Sequence, residues 1–423
     1  MTIHHCDVAI VGGGLAGSLA AAMLGRDGIE TVLIDPHRSY PADFRCEKLD
    51  GGQVATLKKT GLAEAVLGAA TFDGSAHVAR YGRLLDEKPS DQWGILYDTL
   101  VNRIRAEIGG RSSFVCTKVK AIALSADRQT LSLANGESIS ARLVVLATGL
   151  NSALRRSLGI EREVVSACHS VTAGFDVAPA DRSAFAFRAL TYYPERAADR
   201  LAYLTLFPIG AVMRANFMTY REMDDPWLSK LRQYPVEALL EVFPRLPKVL
   251  GAFQVRGPVQ VRPADLYVTK GYIKPGIVLV GDAFATSCPA AGTGASKVFT
   301  DVERLCNGFI RRWLQSEGMG AEKIAAFYAD PVKQASDRAS LNKAYRLRAL
   351  STESGPYWFA QRLKRFLIRF LLGQGRRFAD RIGLFSPGLE EGAPASSLPS
   401  FNWRAIPRFA VAKLRNVIAL FGL

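Results

Sequence analysis

Three glycines spaced Gly-x-Gly-x-x-Gly, at Gly12, Gly14 and Gly17, stand between an apolar, β-branched run at residues 7–11 and a helix-forming stretch at residues 18–24. In that strand-turn-helix setting each has a physical task. Gly12 makes the tight turn, Gly14 lets the backbone approach a pyrophosphate, and Gly17 lets the helix pack closely on the strand. The phosphates then meet the unpaired N–H groups and the positive dipole end of the helix. A second strand at residues 31–34 ends in Asp35, eighteen residues past Gly17. A carboxylate there accepts hydrogen bonds from an adenosine ribose and repels a 2′-phosphate, so the dinucleotide is FAD or NAD rather than NADP.

A second constellation lies far along the chain. A buried strand at residues 276–280 runs into Gly281-Asp282-Ala283, then Pro289 and the turn Gly292-Thr293-Gly294, which opens a helix at about residues 295–306. A carboxylate at a strand end can bind ribityl hydroxyls, and a glycine-rich helix N-terminus can face the electron-rich edge of a reduced flavin. A third segment is the strand at residues 141–150, carrying Ala147-Thr148-Gly149 and followed by Asn151, Ser152 and Arg155. Runs at residues 119–124 and 129–133, with an Asn135-Gly136 turn, precede it and read as a β-meander. Val119, which opens the meander, joins the candidate cofactor contacts. No second Gly-x-Gly-x-x-Gly follows a later strand, and the six cysteines include no Cys-x-x-Cys pair. A two-dinucleotide disulfide reductase and a metal finger are therefore disfavoured.

With these residues together, the chain resembles the single-component FAD-dependent aromatic hydroxylases, the para-hydroxybenzoate hydroxylase superfamily that includes ubiquinone-biosynthesis hydroxylases. The resemblance covers about residues 5–330. It implies that Gly12, Gly14, Gly17, Asp35 and Arg45 hold the adenosine and pyrophosphate end of FAD. It implies further that Asp282 and Gly292, Thr293 and Gly294 hold the ribityl and ring end, with NAD(P)H as electron donor. Arg45 stands in Phe44-Arg-Cys-Glu-Lys-Leu49, and Asn151, Ser152 and Arg155 match a segment that usually reads Asp-Gly-x-Asn-Ser-x-x-Arg. There are departures. Thr148 replaces an aspartate associated with FAD and reduced nicotinamide binding, Ala285 replaces the usual histidine, and Thr293 and Ser296 replace a frequent glutamine and asparagine. Asn151 and Arg155 also have an ordinary reading as capping and packing residues.

Between residues 164 and 272 the pattern changes to strands at 167–177, 184–192 and 201–207, with a helical stretch at 226–243. A mostly antiparallel sheet there would wall a substrate cavity. Phe185, Phe187, Tyr192, Tyr193, Tyr203 and Phe207 make that wall aromatic, although alternating aromatics more commonly pack a sheet than line a pocket. Phe207-Pro208-Ile209-Gly210 resembles the proline turn that closes on the flavin in the superfamily. Residues 203–208 more weakly resemble an element of geranylgeranyl reductases, with Thr205 in place of a tryptophan. Cys168 and His169 adjoin without a partner at triad spacing, and a structural histidine is the expectation. No catalytic side chain is assigned, since the oxygen chemistry of such enzymes belongs to the cofactor.

The elements that must position these residues make the chain α/β: a Rossmann-like FAD-binding domain with a parallel sheet and β-meander, a mostly antiparallel substrate-domain sheet, and a C-terminal helical tail. The expected boundaries are 1–163 and 271–335 for the two parts of the FAD-binding domain, 164–270 for the substrate sheet, and 336–423 for a basic amphipathic tail. At 48% hydrophobic and 22% charged residues over 423 positions, the chain is neither disordered nor fibrous. Its 54 Lys and Arg against 39 Asp and Glu give a net +15. From Lys343 to the C-terminus there are fourteen basic and four acidic residues, so most of the excess sits in the tail. Residues 358–371 carry Phe359, Leu363, Phe366, Leu367, Phe370 and Leu371 at helical spacing beside Arg362, Arg365 and Arg369. An anionic membrane surface is the partner this pattern suggests, and a helix packed on the FAD domain is its plain alternative. Residues 386–400 read as a linker, and no module supports nucleic-acid binding.

The function expected is an FAD-dependent monooxygenase hydroxylating a lipophilic aromatic, quinone-precursor or prenyl-like substrate with NAD(P)H and O2, in the cytoplasm or on the inner face of the membrane. The alternatives are a flavin-dependent prenyl reductase, a flavin halogenase, and a non-enzymatic flavin-binding, membrane-docked protein. For the halogenase, only residues 402–407, around Trp403, approximate the Trp-x-Trp-x-Ile-Pro element.

Overall fold

The computed structural model describes residues 3–381. β1 (Ile3–Val11) lies at the centre of a seven-stranded sheet, parallel to β2 (Thr31–Asp35) on one side and to Ser138–Leu146 on the other. Ser112–Cys116 extends the parallel part beyond β2, and Ile277–Leu279 pairs with Ser138–Leu146. Gln129–Leu133 and Val119–Ala123 add the antiparallel meander. The central strands are apolar on both faces because both faces are covered: Val8, Ile10, Leu143 and Val145 belong to one buried cluster, Ala9, Val11, Val144 and Leu146 to another. α1 (Leu15–Arg26) is buried along nearly its whole length. Its run of alanines lets it sit close to the sheet.

A second seven-stranded sheet runs in the order Phe253–Lys270, Glu161–Pro179, Val212–Thr219, Leu201–Ile209, Ala189–Tyr192, Ser75–Arg80 and Arg83–Pro89. It is antiparallel except where Ala189–Tyr192 pairs in parallel with Ser75–Arg80. Those last two strands come from within residues 1–163, so the boundary expected at 163 does not separate the sheets. A parallel pair needs a crossover, and this one spans more than a hundred residues, which leaves no local mark. Three local expectations also change. Residues 184–188 form no strand, and the strand is only Ala189–Tyr192. The helical stretch at 226–243 is two helices, Pro226–Gln233 and Pro235–Val242, parted at Tyr234, whose φ of −132° and ψ of 67° reflect the proline that follows. Pro208 lies inside a strand opposite Met213, and the chain turns at Gly210 instead.

The described tail is two helices. Pro331–Thr352 is capped by Asp330, which accepts the Lys333 N–H, and packs against Gly294–Glu303. Pro356–Arg381 runs along the edge strand Arg83–Pro89. A Cβ on Gly373 would strike the Leu85 carbonyl oxygen, Arg377 donates to the same oxygen, and Arg376 lies 3.4 Å from the Asp86 carboxylate. The helix thus covers a sheet edge that would otherwise offer unpaired backbone groups. It packs on the substrate sheet, not on the FAD domain. The linker at 386–400 and Trp403 lie outside the described residues.

Candidate functional site

Loops at the end of the first sheet and one face of the second converge on a cavity of about 760 Å³. Arg45 and Asp282, 237 positions apart, meet at 3.3 Å on its wall. Asp43 holds Arg45 from the other side and is itself 2.9 Å from Arg262. Burial works against the Asp43 carboxylate, but these two guanidinium groups outweigh it and hold the carboxyl below its ordinary value. Burial pushes the Asp282 carboxyl up, with Arg45 opposing.

The turn carrying Asp282 is clamped from three directions. Gly281 donates its N–H to the buried Asp301 at 3.0 Å, and the buried Lys333 ammonium lies 2.8 Å from the same carboxylate. Arg155, fully buried, donates to the Ala283 carbonyl at 2.6 Å, and the Tyr267 hydroxyl donates to the Asp282 carbonyl. Asn151 accepts the Ala153 N–H at the start of a short helix. Asn151 therefore closes a local turn and Arg155 ties two loops together.

Gly292 adopts φ 65°, and no atom lies within 4 Å of a Cβ built on Gly292 or Gly294. Both line the cavity. Gln53 donates to the Gly292 carbonyl at 2.9 Å and is fixed by a reciprocal capping pair with Asp50. The Thr293 hydroxyl sits 2.6 Å from that of Ser340 on the helix Pro331–Thr352.

At the other end of the site, Gly12 has φ 101°, and a Cβ there would meet the Ala147 carbonyl at 2.6 Å. A Cβ on Gly17 would run into the Gly12 carbonyl, while one on Gly14 would have only Tyr40 at 3.9 Å. Gly14 gives α1 no side-chain N-cap, and the Leu15 N–H faces the Tyr97 hydroxyl. Asp35 accepts the N–H groups of Gly13 and His37 at 2.7 and 2.9 Å and lies 3.3 Å from Arg105. Arg105 also donates to the Gly13 carbonyl. Nothing in its sequence surroundings marks this arginine, which is one of two on its helix, Tyr97–Ala106. Val119 is partly buried against the cluster beneath the meander and does not line the cavity.

The donor set suits FAD: uncapped helix N–H groups and an open glycine for the pyrophosphate, Arg45 for negative charge, Asp282 for hydroxyls, and an unobstructed glycine turn for a ring edge. Tyr193, Tyr203 and Phe207 line the cavity on the sheet side, while Phe187 and Tyr192 lie in the core and Phe185 packs against it.

Two lining groups went unmarked in the sequence. Burial pushes the Glu47 carboxyl up to about 7, against the pull of Arg214 at 3.7 Å. Burial pushes the Lys48 ammonium down to about 8, and its Nζ stands 5.0 Å over the Phe207 ring. His169 is buried beside Ser166, and burial with the charge of Arg348 lowers it to about 4, so it is neutral near pH 7.

The family described as FAD binding domain matches residues 5–312. The 3-demethoxyubiquinol 3-hydroxylase of Escherichia coli is 25% identical over 359 residues, 78% of this chain and 85% of that protein. The digeranylgeranylglycerophospholipid reductase of Methanothrix thermoacetophila is 26% identical over 313 residues, 69% of this chain and 74% of that one. Among solved structures, the p-nitrophenol 4-monooxygenase of Pseudomonas putida superposes with a TM-score of 0.69 at 18% identity, over 90% of this chain and 97% of that one, a likeness of fold.

Proposed function

Since the chain belongs to the FAD binding domain family, we propose that this FAD-dependent oxidoreductase is a monooxygenase that hydroxylates a lipophilic aromatic, quinone-precursor or prenyl-like molecule, with NAD(P)H as the donor. One observation carries the reading: the Arg45–Asp282 pair and the open Gly292–Gly294 turn share a single cavity with Tyr193, Tyr203 and Phe207. A greasy substrate resting against those rings would lie alongside the flavin ring. Bound FAD supplies the oxygen chemistry.

The chain's own residues bind, orient and keep water out. The N-terminal N–H groups of α1 and the Arg45 guanidinium would take the pyrophosphate, and Asp282 the ribityl hydroxyls. Phe207, Tyr203 and Met218 exclude water from the substrate side. Glu47, poised near neutrality, can hold or release a proton at its carboxyl oxygen within the cavity.

The proposal extends to location. In the helix Pro356–Arg381 most of the apolar stripe faces outward, with Phe359 at 63% and Leu363 at 43% exposed, while Phe366 packs against Tyr81 and Arg362 and Arg369 turn toward the body. We read that stripe as the side that rests on an anionic membrane surface, where a lipophilic substrate would be met. No helix among the described residues is long and apolar enough to cross a membrane.

The test is incubation of purified protein with NAD(P)H, air and a lipid extract, followed by mass spectrometry. One added oxygen atom in a lipid is the expected product. Two added hydrogens would point instead to a reductase, the activity named in the Methanothrix relative, and an added halogen to a halogenase. No bleaching of the flavin by NAD(P)H with any lipid would favour a non-enzymatic flavoprotein.

A further inference from the structure

The charges around the cavity divide by position. At the cofactor end every lining arginine has a carboxylate: Arg45 meets Asp43 and Asp282, Arg162 meets Asp265 at 3.1 Å, and Arg262 meets Asp43. The last two described helices also line the cavity, and they contribute Lys343, Arg346, Arg365 and Arg369. None of these four has an acidic partner among the described residues. Arg369 stands 5.0 Å over the ring of Tyr193, itself a cavity residue. Burial and the like charges of Arg346 and Arg369 both work against the Arg365 guanidinium. Four cations gathered at the mouth of a partly apolar cavity, with no carboxylate partner among the described residues, repel one another, and a cleft focuses their field on whatever enters. Guanidinium groups suit phosphate oxygens, which they can grip in pairs.

We propose that this mouth is an anion subsite that holds the phosphate head of an amphiphilic substrate, while its apolar part reaches past Tyr193 and Tyr203 toward the glycine turn at Gly292. The inference rests on the reading of the cavity as the substrate site and adds the substrate's class: a lipophile with a phosphate-bearing head.

The experiment uses the full chain with its flavin and needs no turnover. Binding of monomeric dodecyl phosphate, dodecanol and inorganic phosphate is measured by calorimetry. The wild type is expected to bind dodecyl phosphate at least tenfold more tightly than either other probe. The triple variant Arg346→Gln/Arg365→Gln/Arg369→Gln should lose that preference and keep its dodecanol affinity and flavin content. The corresponding lysine variant should restore most of the preference. Should the triple variant fold poorly, Arg346→Glu on the exposed face of its helix replaces it, with the same loss expected.

Four results would each overturn the proposal. They are equal affinity for dodecyl phosphate and dodecanol, inorganic phosphate binding as tightly as dodecyl phosphate, and displacement of dodecyl phosphate by NADPH at the subsite. The last is a triple variant that loses phosphatidylglycerol vesicles while keeping its preference, which would assign the cations to the bilayer. A preserved preference with no oxygen insertion would fell the monooxygenase reading alone, whereas oxygen insertion without the preference would fell the subsite alone.

Discussion

Asp282 is the residue on which the cofactor reading turns, because its carboxylate is the one acidic side chain that faces Arg45 from the second half of the cofactor fold. Asp282→Ala is expected to purify with little bound flavin, read from its visible absorbance; full yellow occupancy would remove the residue from the site. Glu47 offers a test by pH. Its carboxyl ordinarily titrates near 4.5, and burial raises it to about 7. Between those values the folded protein keeps a proton that the unfolded chain has released. The contribution is therefore favourable at low pH and is lost as pH rises through about 7. The shift corresponds to about 3 kcal/mol. Glu47→Gln should consequently gain stability relative to wild type as pH climbs from 5 to 8, measured by urea unfolding. An unchanging difference would mean that Glu47 titrates normally. Both positions lay in stretches of sequence already under scrutiny, yet only Asp282 was legible. It ends a buried strand in a glycine turn, whereas the environment of Glu47 comes from Arg214 and Asp176, far along the chain.

The helix Pro356–Arg381 shows how an element's pattern can be read while its orientation cannot. Apolar residues at three and four positions apart next to arginines announce amphipathicity. The usual inference puts the apolar face inward. Here Arg362 donates to the Leu350 and Glu353 carbonyls, Arg376 meets Asp86, and the leucines face out. The double variant Leu363→Glu/Leu367→Glu is expected to change stability by no more than about 0.5 kcal/mol, because both positions are exposed. It should bind phosphatidylglycerol vesicles far less well than wild type in a flotation assay, with flavin content unchanged. Undiminished flotation would remove this stripe from the membrane contact.

At the scale of the whole molecule, the cavity is a seam between two sheets that share little continuous sequence. A ligand filling it touches α1, the Arg45 loop, the Asp282 turn and the second sheet together, so it should stabilise the assembly as a unit. With free FAD at a hundred times its dissociation constant, linkage adds about 2.7 kcal/mol, which for a chain of this length raises the thermal midpoint by about 3 °C. Thermal unfolding of flavin-depleted protein with and without added FAD checks this, and coincident midpoints would contradict binding across the seam. The net charge of +15 also acquires a place at this scale. Part of it lines the mouth of the cavity rather than spreading over the surface.

The sequence alone determined the class of fold and where the glycine turns of the candidate site fall, because a glycine that must bend, a strand buried on both faces and a carboxylate at a strand end are local requirements written in adjacent residues. The tertiary structure decided which strands share a sheet, that residues 75–89 join the second sheet, that Arg105 reinforces Asp35, and which way the basic helix faces. Those outcomes depend on pairings across long stretches of chain, and periodicity carries no information about the partner on the other side.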